Sequence, residues 1–257
     1  MRVLLAVTAL FLSSLFCAHS LAEGSASKPE ASEASDHARH SPMIVIGFLG
    51  GYVRSDNTLH AEVQLAARLR SDSPAGTYSE IFENHHGDEA HAEILRLLDV
   101  NHDGSLSADE KRSARIILYG HSWGGSELVT LARELEQDAV PVLLTIQVDS
   151  IQKRKEDDRL IPANVAEAAN FYQPDSVLHG RPEIRAVDPS RTKILGNFRF
   201  EYKQNPISCA DGFPWLVRHF AKPHAEIECD PNVWNKIEAL IRMKLSSGQL
   251  PQTNSPG

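Results

Sequence analysis

The chain has 257 residues, 42% of them hydrophobic, and carries 26 Lys and Arg against 34 Asp and Glu, a formal charge of −8. That length and apolar content suit one globular domain with a full core. An acidic balance without a basic stripe argues against nucleic acid or an anionic membrane surface as a partner.

Met1 and Arg2 precede an apolar run over 3–16 and a small-residue site at Ser20 and Ala22. This predicts a secretory signal peptide over 1–22, too short an apolar run for a membrane span. A lipoprotein signal ending at Cys17 is the alternative, disfavoured by the bulky Phe16 before it. Residues 23–41, rich in Ser, Ala and Glu without periodic apolar positions, read as a flexible leader. The domain is expected over 42–247, followed by a disordered tail over 248–257. Export to a secreted or periplasmic location leaves Cys209 and Cys229 as an even pair in an oxidising compartment. A disulfide between them is expected, two separate buried thiols being the alternative.

Residues 43–49 are a short apolar run ended by Gly50 and Gly51, the pattern of a core strand and a tight turn. Asn57 or Thr58 is placed to cap a helix with Leu59, Val63, Ala66 and Leu69 on one face. A strand over 77–83 follows, then a helix over 88–98 with Ala90, Ile94, Leu97 and Leu98 inward. After the segment 99–110, the apolar residues 116–119 form a strand, and Leu128, Val129, Leu131, Ala132 and Leu135 mark a helix. This β-α-β-α-β order predicts a single α/β domain, a mostly parallel sheet with helices on both faces.

Between that last strand and helix stands Gly120-His121-Ser122-Trp123-Gly124-Gly125. Glycines flanking a serine at a strand-to-helix turn let the chain take a strained elbow that projects the hydroxyl from the sheet. The alternative is a Gly-rich turn whose serine only caps the helix. The Gly-x-Ser-x-Gly pattern in this setting resembles the α/β-hydrolase superfamily, its lipase- and esterase-like members in particular. The resemblance implies Ser122 as nucleophile, with oxyanion-holding N–H groups from Trp123 and from Leu49 or Gly50.

Residues 140–148 are another strand, and Asp149 at its end is the candidate acid on the same rim, with Asp188 in reserve. Residues 151–191 are irregular and resemble an insertion that builds a rim over the pocket. Phe171 and Tyr172 are candidates for an acyl pocket or for the core. A strand over 192–202 comes next. His224, in the loop before a helix begun by Asp230 and Pro231, is the candidate base, with His219 as its rival. Ser122, Asp149, His224 follow the resembled family's order of nucleophile, acid, base.

Residues 99–110 resemble an EF-hand calcium loop: Asp99, Asn101 and Asp103 at alternate positions, Gly104 for the sharp turn, Ser105, Leu106, Ser107, and Glu110 to close. An acidic helix-capping turn is the alternative. The loop enters a parallel strand at its N-terminal end, so a bound Ca2+ is expected about 17–20 Å from Ser122 and structural in role. There is room for only about one turn of helix before the next strand.

The sequence therefore predicts a secreted serine hydrolase of small-molecule or lipid carboxylic esters, with thioester, amide or acyl-transfer chemistry open. The alternative is a non-catalytic calcium-dependent binding protein on the same scaffold, which has no need of an assembled triad. Oligomeric state is not legible.

Overall fold

A computed structural model describes residues 42–153, 157–209 and 221–247. The expected signal peptide, leader and tail, and the rival base His219, lie outside the described residues.

Six strands form one parallel sheet in the order β2-β1-β3-β4-β6-β8: β1 (Met43–Leu49), β2 (Thr77–Glu83), β3 (Arg115–His121), β4 (Val142–Val148), β6 (Val165–Tyr172) and β8 (Lys193–Arg199). Two short strands, β5 (Leu160–Ile161) and β7 (Arg185–Ala186), pair outside it. The helices are α1 (Ala61–Asp72), α2 (Gly87–Leu98), α3 (Ala108–Arg112), α4 (Trp123–Gln137), α5 (Lys222–Cys229) and α6 (Pro231–Ser247).

Alternation along the strands sorts the core into two layers. Ile44, Ile46 and Phe48 of β1 and Ile116 and Leu118 of β3 pack against Ala90, Ile94 and Leu98 of α2 and the Leu128 to Leu135 stripe of α4. Val45, Ile117 and Tyr119 face the other way, onto Leu65 and Leu69 of α1 and Trp234, Ile237 and Ile241 of α6. All seven residues of β1 are buried, as a central parallel strand covered on both faces requires. Among the described residues no helix is long and apolar enough to cross a membrane.

Two expectations are corrected, and of the two alternatives for Phe171 the core holds. Residues 165–172, taken as part of an irregular insertion, are the sheet strand β6 between β4 and β8. Their Ala, Glu and Asn content is poor in β-formers, and pairing on both edges overrides it. Phe171 is consequently core, 1% exposed, its ring tilted against that of Phe198 with centroids 4.9 Å apart, and Phe171 does not line the pocket. The first helix starts at Ala61, leaving Leu59 outside it and 46% exposed. Asn57 instead accepts from the Leu59 N–H in the preceding turn, 3.2 Å away.

Candidate active site

The sheet order fixes where a crevice must open. From β1 the chain moves outward to β2, then returns across β1 to β3 and proceeds the other way. Connections after β1 and β3 thus diverge, leaving a gap at the C-terminal ends of these two neighbours. Gly50 follows β1 and Ser122 follows β3, and a Cβ on Gly50 would stand 2.9 Å from the Ser122 Cβ. Only glycine allows that approach.

Ser122 has φ 54° and ψ −124°, a conformation of order 1–3 kcal/mol above the relaxed backbone for a non-glycine residue. Its N–H donates to the Val148 carbonyl at 2.9 Å, and its carbonyl accepts from Gly125 and Ile151 at 3.0 and 3.1 Å. Three backbone bonds therefore hold the strained elbow. A side chain on Gly124 would collide with the Phe48 carbonyl, which explains the second glycine. The Ser122 side chain makes no capping bond to α4, so the purely capping role is excluded.

The hydroxyl instead meets His224. Nε2 of His224 lies 2.9 Å from Ser122 Oγ, and Nδ1 lies 2.6 Å from Asp149 Oδ2. Asp149 is fully buried just past β4, at φ 43°. Its other contacts are donors: the Gln173 side chain at 2.8 Å, the Gln173 N–H at 3.2 Å and the Gly180 N–H at 2.6 Å. Gln173 and Gly180 had no signal in the sequence beyond lying in the irregular stretch, which proves to wrap the acid. The reserve acid Asp188 does not reach the site; it caps its own turn, accepting from Ser190. His224 sits within the short helix α5, not in a loop as expected, because Pro223 in the first turn lets a helix begin there. Burial holds the His224 imidazole below its ordinary pKa; the Asp149 bond opposes this, and the charge of His121 adds to it.

Beside this line lies His121, the residue just before the nucleophile. Its ring is 4.7 Å from that of His224, and its Nδ1 faces Glu228 at 3.4 Å and Glu62 at 3.6 Å. Burial alone would push His121 down, but the Glu228 and Glu62 carboxylates, with Asp149 beyond, raise it to about 9. Burial and the Glu62 charge drive the Glu228 carboxyl well up. His60 completes this cluster through a short bond from its Nδ1 to Glu228. His60, Glu62 and Glu228 are distant in sequence and carry no motif, so composition and periodicity gave no signal for them.

A cavity of about 390 Å³ opens above Ser122, walled by Tyr52, Val53, Trp123, Ile151 and Leu178. Tyr52, 88% exposed, stands edge-on to Trp123 with ring centroids 5.5 Å apart. As the first residue of α4, Trp123 has no acceptor for its N–H within the helix. Gly50 borders the cavity, whereas Leu49 is the last, fully buried residue of β1, in register with Glu83.

At the opposite end of β3, the segment 99–110 is folded as one turn. Asp99 Oδ1 and Asn101 Oδ1 accept from the same Asp103 N–H, at 3.2 and 2.9 Å, and Asp103 accepts from the Ser105 N–H and hydroxyl. Gly104 has φ +82°. Ser107 caps α3 reciprocally with Glu110, whose carboxylate also accepts from the Val100 N–H at 2.9 Å. The donor set is all oxygen, which fits a hard cation such as Ca2+ in kind, while the Asp103 carboxylate is turned to Ser105 and that of Glu110 to its own helix cap. Cys209 and Cys229 form a disulfide that closes a separation of 20 residues at the end of α5.

No protein-family model matches the chain, and no curated protein does. Solved structures resemble it at low identity. Human thioesterase 2 is 11% identical over 82% of this chain and 99% of its own, with a TM-score of 0.43. A cutinase-like protein from Cryptococcus sp. is 12% identical over 79% and 95%, at 0.42. An α/β hydrolase enzyme from a Medee basin deep-sea metagenome library is 14% identical over 85% and 88%, at 0.44. The fold itself is α/β, a parallel six-stranded sheet with helices packed on both faces. Those likenesses concern chain arrangement; what the site does must be argued from its side chains.

Proposed function

We propose that the protein is a serine hydrolase of carboxylic esters. The observation that carries this reading is the continuous line from Asp149 through His224 to Ser122, with bonds of 2.6 and 2.9 Å at the switch point of the sheet. His224 takes the Ser122 proton as Oγ attacks the acyl carbonyl, and Asp149 keeps the imidazole in the tautomer that presents Nε2 to the serine. N–H groups of Trp123 and of the Leu49 to Gly50 connection hold the developing oxyanion. The alcohol leaves with the proton from His224, and water activated by the same histidine releases the acid. An apolar cavity above the serine favours a small-molecule or lipid ester with a modest acyl group. Thioester hydrolysis or acyl transfer by the same intermediate is the second reading, since the line of three groups serves any acyl carbonyl. A non-catalytic binding protein would leave the strained elbow and the saturated Asp149 without a purpose.

We further propose export to a secreted or periplasmic location, and a structural Ca2+ held by Asp99, Asn101, Asp103, the Ser105 carbonyl, Ser107 and Glu110. The ion's chemistry there is to neutralise the acidic loop that leads into β3; no step of the reaction passes through it. The experiment is a substrate panel of p-nitrophenyl acetate, butyrate and octanoate beside the matching thioesters and anilides. Ester turnover with an initial burst equal to the enzyme concentration is the expected result. Turnover no faster than that of the Ser122→Ala protein would reject the proposal.

A further inference from the structure

Against the floor of the same cavity the protein buries a second group of ligand-bearing side chains. His60 precedes α1, Glu62 lies in its first turn, and Glu228 lies in the last turn of α5. Each turns one ligand-type atom to the others, and the three atoms lie within 4.8 Å of one another. His60 is 9% exposed, Glu62 0% and Glu228 5%. Neither carboxylate oxygen of Glu62 has a hydrogen-bond partner, although both are shut off from solvent. A buried carboxylate costs several kcal/mol unless a donor or cation meets it; His121 faces this one at 3.6 Å, an ion pair without a hydrogen bond.

We infer that His60, Glu62 and Glu228 form a binding site for one divalent transition-metal ion of the zinc class, with its remaining coordination position towards the cavity above Ser122. One imidazole and two carboxylates are the donors such ions take, and three protein ligands leave a fourth position for water. Tetrahedral ligands about 2.0–2.1 Å from the metal stand about 3.3 Å apart. The three ligand atoms, all within 4.8 Å of one another, bracket that spacing. Their backbones are pinned in advance: the Tyr119 hydroxyl donates to the Glu62 carbonyl at 3.1 Å, and the Trp234 indole N–H donates to the Glu228 carbonyl at 2.7 Å. His60 and Glu228 border the cavity, which gives an ion its route in. Once bound, the ion ties α1 to α5, the helix that carries His224. The site differs in kind from the all-oxygen loop 99–110, and in burial from the surface trio Glu83, His85 and His86.

The test uses the chelator-stripped mature chain in excess Ca2+, titrated with Co2+ as a spectroscopic probe and then with Zn2+. The expected result is one equivalent of Co2+ with the visible band of a four-coordinate ion, displaced by Zn2+, and a raised Tm. Glu62→Gln and Glu228→Gln should each weaken binding at least tenfold, while the His85→Ala/His86→Ala double variant retains the band. If neither Gln variant melts cooperatively, His60→Ala decides, and an unchanged band there overturns the inference. Failure to bind either ion, or a band lost in the surface double variant and kept in Glu62→Gln, also overturns it. These readouts need no substrate, so they stand or fall apart from the esterase reading.

Discussion

Nε2 of His224 stands 2.9 Å from Oγ of Ser122 across a sequence separation of 102 residues, and the same ring is held from behind by Asp149. Because the three act as one unit, Ser122→Ala and His224→Ala should each lower kcat by at least about 10⁴-fold, and the double variant should fall little further. Asp149→Asn should cost about 10³–10⁴-fold by presenting the wrong tautomer. Steady-state kinetics on a p-nitrophenyl ester checks this; additive losses in the double variant would contradict a shared role.

The pH profile follows from the burial of His224. The base works when neutral, and its pKa lies below the ordinary imidazole value of about 6.5. As pH falls through about 6.5 the imidazole therefore stays neutral, and the acid limb of kcat/KM should appear below that value. A limb centred above it would show that the charge of Asp149 outweighs burial.

The disulfide ties Cys229, the last residue of α5, to Cys209, 20 residues before it. Closing a loop of about 20 residues contributes about 3 kcal/mol in the chain-entropy account. The Cys209→Ser/Cys229→Ser variant should lose roughly 6–12 °C in Tm, with activity falling at lower temperature because α5 carries the base. Activity unchanged by a reductant shown to open the bond would refute this coupling.

Calcium, by contrast, should act on stability alone. At 100 times its Kd it would add about 2.7 kcal/mol. Melting with and without chelator should differ by several degrees, and Glu110→Gln should reduce the difference. Turnover well below the melting range should be unaffected, since the loop and Ser122 lie at opposite ends of β3. Turnover abolished by chelation with Tm unmoved would reject the structural role.

The parts legible in the sequence were those with a short-range signature. The elbow around Ser122 announces itself because glycines must flank it, and Asp149 and His224 follow from their places after β4 and before α6. The strand β6 was hidden because its sequence is unremarkable and its stability comes from neighbours on both edges. Gln173, Gly180, His60, Glu62 and Glu228 were invisible for a different reason: each matters through burial against residues far away in the chain, which no periodicity encodes. His121 was in plain view, yet its inward turn depends on Glu62 and Glu228 waiting behind it.

The most direct measurement of the central claim is fluorophosphonate labelling of the folded mature protein, with the modified residue located by mass spectrometry. The account predicts a single adduct on Ser122 that disappears in His224→Ala. A folded protein that takes no label, or takes it at another serine, would contradict it.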